Sequence, residues 1–177
     1  MSAGGGRICV LGLGNLMCSD DAVGMIAAQR LAEDARLPGE VEVVEGGTLG
    51  LDLLDLVHGV SRLLVLDAVD TGVAAGTLTR FAGEELARLP TSKSVHLVGL
   101  SDLMNVLRLM DAPPIETVLL GVQPESTELA TTLSPAVGAA VDGLIEKALE
   151  QIEDWAMQGC DEAGDLIPEL AAPVAGF

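Results

Sequence analysis

Aromatic residues, cysteines and basic residues are all scarce in this chain of 177 residues. One Trp, two Phe and no Tyr argue against an aromatic cage or a platform on which nucleobases stack. The three cysteines, Cys9, Cys18 and Cys160, form no C-x-x-C pair, which argues against a disulfide framework and a structural zinc site. Only 9 basic residues stand against 27 acidic ones, for a net charge of −18, so we expect no nucleic-acid partner.

Long hydrophobic runs are absent as well. No apolar run approaches the roughly 18–20 residues of a membrane span, and Gly12, Gly14 and Asn15 interrupt the only N-terminal stretch that resembles a signal peptide. The hydrophobic fraction of 49% nevertheless suffices for a buried core of Val, Leu, Ile and Ala. We therefore expect a cytoplasmic monomer without membrane insertion.

Strands and helices alternate along the chain. Short apolar runs predict strands at 8–11, 41–45, 63–67 and 117–122, and an alternating pattern predicts an edge strand at 77–81. Helical spacing predicts helices at 23–31, at 51–57 with Thr48 as cap, at 96–110, and from Ser134-Pro135 onward. This alternation predicts an α/β fold: one doubly wound, mostly parallel sheet with helices on both faces, a flavodoxin-like strand order and an edge strand.

We predict one folded domain with short extensions. Residues 1–6 are expected to be a flexible N-terminus, and residues 7–158 the α/β domain. Gly, Pro and acidic residues replace the helical periodicity from Gly159 onward, so residues 159–177 are expected to form a loose acidic tail.

The topology directs three polar residues to one crevice. In a doubly wound sheet, ligands bind beyond the carboxyl ends of the strands where the strand order reverses, here between the first and third strands. Asp21 lies in the loop after the first strand, Asp67 ends the third, and His96 follows the long loop after the fourth. Two carboxylates and an imidazole suit zinc, nickel and similar divalent ions, and leave coordination positions open for water or substrate.

Simpler interpretations exist for these residues. Asp20 and Asp21 suit the first turn of a helix, where their charge complements the helix dipole. A single histidine near a helix start, such as His96, is often an ordinary hydrogen-bonding group. His58 has no assigned role.

Two further interpretations involve the first loop. Cys18 beside the crevice is a candidate nucleophile with His96 as base, although no residue to orient the imidazole is evident and a bystander thiol is favoured. Gly12-x-Gly14 after a strand suggests a nucleotide-binding module, but Met17 replaces the third glycine of that motif.

An ordered set of motifs resembles the hydrogenase maturation proteases. The motifs are Gly12-Leu-Gly14-Asn15, Asp20-Asp21-Ala-Val-Gly24, Glu45-Gly-Gly-Thr48, Leu66-Asp67-Ala68, His96-x-x-Gly99-Leu100-Ser101-Asp102, Gly121-Val-Gln123-Pro124 and Leu133-Ser-Pro135. They run in order from about Ile8 to Trp155. Each motif alone is weak, but the ordered set is specific.

The resemblance implies an activity and its site residues. Family members are similar in removing a C-terminal extension from the large-subunit precursor of nickel–iron hydrogenase after nickel insertion. The family's catalytic, metal-binding positions carry over to Asp21, Asp67 and His96, with Asp21 where many members have Glu. Glu45 stands where Asp often precedes the Gly-Gly-Thr motif.

The family is grouped with aspartic-type endopeptidases. Asp70-Thr-Gly72 spells the tripeptide of aspartic proteases, but it occurs only once and is interpreted as coincidence. The resemblance implies nickel as the metal, with zinc or cadmium able to replace it. We expect that nickel to belong to the precursor rather than to the protease. The alternative function is a non-enzymatic nickel-delivery or docking chaperone.

Overall fold

A five-stranded sheet forms the centre of the computed structural model, which describes residues 6–164 and the side chains of residues 6–158. The strands are β1 (Ile8–Leu13), β2 (Glu42–Gly47), β3 (Arg62–Ala68), β4 (Leu78–Ala82) and β5 (Glu116–Val122). Their spatial order is β2-β1-β3-β5-β4. The first four in this order are parallel, and β4 pairs antiparallel with β5 at the edge.

Helices cover both faces of the sheet. They are α1 (Val23–Ala32), α2 (Leu54–Val57), α3 (Gly83–Arg88), α4 (His96–Leu109) and α5 (Pro135–Gly164). One buried cluster packs α1 and α5 against one face, and a second packs α2 and α4 against the other. Because both faces of the central strands β1, β3 and β5 are buried, these three strands need continuous apolar runs. The predicted doubly wound α/β sheet with an edge strand is confirmed.

Three local predictions differ from the structure. The helix expected at 51–57 is a 3-10 turn at Leu51–Leu53 followed by the short α2, and neither has a side-chain cap, so Thr48 as cap is wrong. Helix α3 was not predicted. Helix α5 continues to Gly164, past the predicted start of the tail; the other residues of that tail, and residues 1–5 of the predicted N-terminus, lie outside the described residues.

Glycines let helix α1 lie directly on the carboxyl ends of the central strands. A Cβ atom on Gly24 would lie 2.1 Å from the carbonyl oxygen of Leu66 in β3 and 2.3 Å from that of Leu13 in β1. The first turn of α1 is therefore pressed against both strands. The 3-10 turn Ser19–Ala22 precedes α1, so this contact positions Asp21 at the edge of the sheet where β3 ends.

A helix that crosses a bilayer needs roughly 20 consecutive, mostly apolar residues. Within the described residues, each helix is either too short or too polar to do so.

Candidate active site

The structure brings Asp21, Asp67 and His96 together. Asp21 comes from the turn before α1, Asp67 from the end of β3, and His96 from the first position of α4. The Nδ1 atom of His96 lies 2.9 Å from Oδ1 of Asp67, and its Nε2 atom lies 3.5 Å from Oδ2 of Asp21. The imidazole thus stands between two carboxylates that are distant in sequence.

Asp67 is completely buried and its oxygens are already engaged. Oδ1 accepts a hydrogen bond from the amide of Ala68 (2.8 Å), and Oδ2 accepts one from the hydroxyl of Ser94 (2.6 Å). Because the carboxylate can only accept, the Nδ1 atom of His96 carries the hydrogen of the bond between them. Asp67 therefore orients the imidazole with Nε2 directed towards Asp21.

Ser94 was missed by the sequence analysis. Its Oγ donates to Asp67 and accepts a hydrogen bond from the backbone amide of His96 (3.2 Å). One hydroxyl thereby joins the end of β3 to the start of α4. Ser94 is separated from Asp67 by 27 positions, so no local motif indicates this contact.

The Nε2 atom of His96 lacks a partner. Among the described residues it is the one buried side-chain nitrogen or oxygen without a hydrogen bond. Burial disfavours the imidazolium, but the hydrogen bond to Asp67 and the charges of Asp67 and Asp21 outweigh it, so the pKa of His96 is raised. A buried polar atom without a partner is costly in a folded protein, and its presence here indicates a functional position.

Asp21 lies beside this nitrogen. Burial raises the pKa of the Asp21 carboxyl, and the charge of Asp67 adds to this, while His96 and a hydrogen bond from the amide of Asn15 (3.0 Å) oppose it. Its side chain is 11% exposed, against 0% for Asp67. Asp21 is therefore the more accessible of the two carboxylates, whereas Asp67 acts from behind the imidazole.

The hydrogen bonds of Asp67 leave His96 and Asp21 as the site residues available to bind a metal ion. Among the described residues, no three His, Cys, Asp or Glu side chains are already arranged to hold one, and both oxygens of Asp67 accept hydrogen bonds from protein groups. The donors that remain, an imidazole nitrogen and a carboxylate, are ones that nickel and zinc accept. An ion here would meet His96 and Asp21, with Asp67 as the outer partner of the imidazole. A site with all three residues as direct ligands stays a prediction.

The site opens into a cleft of about 590 Å³. Residues from five segments of the chain line it: Asn15, Cys18, Asp21, Thr48, Ala68, Asp70, Ser92, Lys93, Ser94, Val95, His96, Gln123, Pro124, Glu125, Ser126 and Thr127. Cys18 makes no side-chain hydrogen bond to any described residue, His96 included. The geometry therefore offers no support for a Cys18–His96 nucleophile pair.

Gln123 holds one wall of the cleft in place. Its Oε1 accepts hydrogen bonds from the amides of Thr71 (2.8 Å) and Gly72 (3.0 Å), and its Nε2 donates to Oδ1 of Asp70 (3.0 Å). The hydrogen bonds from Gln123 and Gly72 lower the pKa of Asp70. Asp70-Thr-Gly72 is thus a loop anchored to the end of β5.

Asp20 has a different role from its neighbour Asp21. It is completely buried and accepts hydrogen bonds from the amides of Glu125 (2.8 Å), Ser126 (3.1 Å) and Ser134 (2.6 Å). Besides its place in the first turn, which suits the helix dipole, its carboxylate ties the cleft wall at 124–127 to the turn before α1.

Comparisons with known proteins come from sequence and from structure. The profile of the HycI hydrogenase maturation protease family matches residues 25–151. The chain is 39% identical over 148 residues to the hydrogenase 2 maturation protease of Escherichia coli, covering 82% of this chain and 88% of that protein. It is 34% identical over 172 residues to the hydrogenase expression/formation protein HupD of Rhodobacter capsulatus, covering 93% and 82%.

Solved structures agree with the sequence matches. The hydrogenase maturating endopeptidase HybD from E. coli superposes with a TM-score of 0.79 at 35% identity, covering 84% of this chain and 93% of that one. The [NiFe] hydrogenase maturation protease HybD from Thermococcus kodakarensis superposes with a TM-score of 0.71 at 28% identity, covering 82% and 98%.

Proposed function

We propose that this chain, which belongs to the hydrogenase maturation protease family, removes the C-terminal extension of a nickel–iron hydrogenase large-subunit precursor after nickel insertion. The reaction is hydrolysis of one peptide bond. The oxygen of water bonds to the carbonyl carbon, the C–N bond breaks, and the released amine takes up a proton. The Nε2 atom of His96, buried and without a partner beside Asp21, is the observation that carries this proposal.

The three site residues have different roles in the proposed reaction. Asp67, which accepts a hydrogen bond from Ser94, also accepts one from the Nδ1–H of His96 and so keeps that hydrogen on Nδ1. The lone pair of Nε2 and the carboxylate of Asp21 then face the incoming precursor. We infer that they complete the coordination of the nickel that the precursor already carries, which positions the scissile bond in the cleft. The nickel is then part of the substrate.

Nickel-loaded and nickel-free precursors test the proposal. With catalytic amounts of the protein, we expect the nickel-loaded precursor to lose its extension over many turnovers, measured by mass spectrometry, and the nickel-free precursor to remain intact. Asp21→Asn and His96→Gln should abolish this cleavage. Equal cleavage of both precursors would refute nickel recognition, and a stoichiometric effect without a change in precursor mass would indicate a chaperone instead.

Ionic strength separates long-range attraction from coordination. Raising salt from roughly 50 mM to 500 mM shortens the Debye length from about 14 Å to about 4 Å. The encounter rate should then fall, because the net charge of −18 on the protease attracts basic patches of a partner over long distances only at low salt. The preference for the nickel-loaded precursor should persist, since screening hardly weakens a coordination bond.

A further inference from the structure

Several large apolar side chains are exposed beside the cleft. Six of them, which we call the apolar rim, are between 44% and 78% exposed: Leu16, Met17, Leu49, Leu51, Val95 and Val98. Val95 itself lines the cleft, as do the chain neighbours of Leu16, Met17 and Leu49. Isolated exposed apolar residues are normal, but a group of them around a site marks an interaction surface.

Backbone contacts join the three segments of the apolar rim. Gly50 and Gly99 touch so closely that a Cβ atom on Gly99 would lie 3.1 Å from Cα of Gly50. This contact brings Leu49 and Leu51 beside the first turns of α4, where Val95 and Val98 share one helix face.

The segment that carries Leu16 and Met17 is joined to the loop after β2. The amide of Gly14 donates to the carbonyl of Gly47 (2.9 Å), which joins the loop after β1 to the loop after β2. The amide of Met17 donates to the side chain of Asn15 (3.0 Å), and this tight turn leaves Leu16 and Met17 exposed. The apolar rim therefore borders the cleft from both of these loops and from α4.

Charge is absent from the apolar rim although the chain is strongly acidic. The segments 15–18, 46–51 and 95–101 contain no Asp, Glu, Lys or Arg, whereas the whole chain has 36 such residues. The exposed Asp52 and Asp102 follow directly at the margin. An apolar centre with a charged margin is typical of surfaces that bind another polypeptide.

We propose that the apolar rim binds an uncharged, apolar stretch of the precursor next to the scissile bond. This inference rests on the proposed function. The occupant follows from continuity, because the apolar rim extends the cleft in which the scissile bond must lie. A second copy of this chain seated there would cover Asp21 and His96. An anionic membrane surface is disfavoured by the net charge of −18.

Aspartate substitutions test the apolar rim. Leu51→Asp and Val98→Asp place a charge on it without touching the site residues. We expect each to lower kcat/KM for the nickel-loaded precursor about tenfold, through KM, because docking of an apolar stretch would bury an unpaired charge. The value of kcat at saturating precursor should stay unchanged, because neither residue contacts the reacting groups.

Leu109→Asp and Ile115→Asp are the matched controls. Both residues are more than 80% exposed, and each substitution adds the same single charge. Leu109 ends α4, about 20 Å from His96 at 1.5 Å per residue. We expect kcat/KM of these controls to remain within about twofold of wild type. Far-UV circular dichroism and thermal unfolding establish that all four variants are folded.

The outcomes distinguish this inference from the proposed function. Equal kcat/KM for rim and control variants would overturn the apolar rim as docking surface while wild-type cleavage still supports the protease function. If wild type fails to cleave, the proposed function fails, and calorimetric titration of precursor into wild type and Val98→Asp still tests docking. A wild-type dimer in sedimentation that Val98→Asp dissociates would assign the surface to a second copy instead.

Discussion

Replacement of Asp20 by alanine tests how the cleft wall is held. The carboxylate accepts hydrogen bonds at 2.6 Å from the amide of Ser134, 2.9 Å from the hydroxyl of the same residue, and 2.8 and 3.1 Å from the amides of Glu125 and Ser126. One buried side chain therefore connects the turn before α1 to the wall of the cleft and to the start of α5. Asp20→Ala removes all four hydrogen bonds together.

The expected loss of stability follows from the number and type of these bonds. A hydrogen bond to a charged group contributes roughly 1.5–3 kcal/mol, but such values are not additive. Glu125 is exposed and Ser126 half-buried, so water can replace part of what their amides lose. We expect the free energy of unfolding to fall by about 3–5 kcal/mol, which corresponds to roughly 6–20 °C in Tm for a domain of this size.

The loss of unfolding free energy in Asp20→Ala should depend on pH. Burial acts to raise the pKa of Asp20, but the hydrogen bonds from Ser134, Glu125 and Ser126 outweigh it and hold the pKa below its usual value of 3.8. The folded protein thus binds fewer protons at this group than the unfolded chain. The stabilisation is fully present above the unfolded pKa and is lost as pH falls through the folded one.

Urea denaturation at pH 7 and at roughly pH 3 measures both effects. The difference between wild type and Asp20→Ala should be largest at pH 7 and smaller in acid. Ser134→Ala is the control, since it removes one of the four bonds together with the cap on Val137 (3.4 Å), at a cost of about 1 kcal/mol. A loss below 1 kcal/mol for Asp20→Ala at pH 7, or a difference that does not change in acid, would refute this account.

Three other substitutions probe the packing and the site. Gly24→Ala should cost roughly 3 kcal/mol or more in urea unfolding, because the methyl group would lie 2.1 Å from the carbonyl oxygen of Leu66 and α1 must move; a near-neutral effect would contradict the close contact. The pKa of His96 in an NMR titration should lie above 6.5 and fall in Asp67→Asn, which removes the negative charge; no change would mean that the charge of Asp67 does not stabilise the imidazolium. Cys18→Ser should cleave the nickel-loaded precursor at a rate within about twofold of wild type. An inactive variant would indicate that the Cys18 thiol takes part in cleavage.

The strands and the position of the site could be predicted from the sequence for a physical reason. Parallel strands buried on both faces require uninterrupted apolar runs, such as Leu63–Leu66. Polar residues that follow such runs lie at the carboxyl edge of the sheet, and this rule predicts that Asp21 and Asp67 lie near one another. His96 follows a long loop after the antiparallel edge strand β4, so the same rule allows its position at that edge but does not fix it.

The division of labour among these residues depends on tertiary structure. Asp20 and Asp21 are neighbours with the same side chain, in a turn where Ser19 has a φ of 47°. The carboxylate of Asp20 accepts a hydrogen bond from the amide of Ser134, 114 positions away. The carboxylate of Asp21 lies beside His96 instead. The sequence places Asp67 in the same crevice as the other two residues, and only the structure shows that it is completely buried behind the imidazole.

Such contacts join residues that are distant in sequence, and they depend on the orientation of each side chain in the folded chain. Local patterns follow from the periodicity of strands and helices and can therefore be recognised in the sequence. The partner of a buried carboxylate is set by packing and hydrogen-bond geometry between separate elements, so only the tertiary structure decided it.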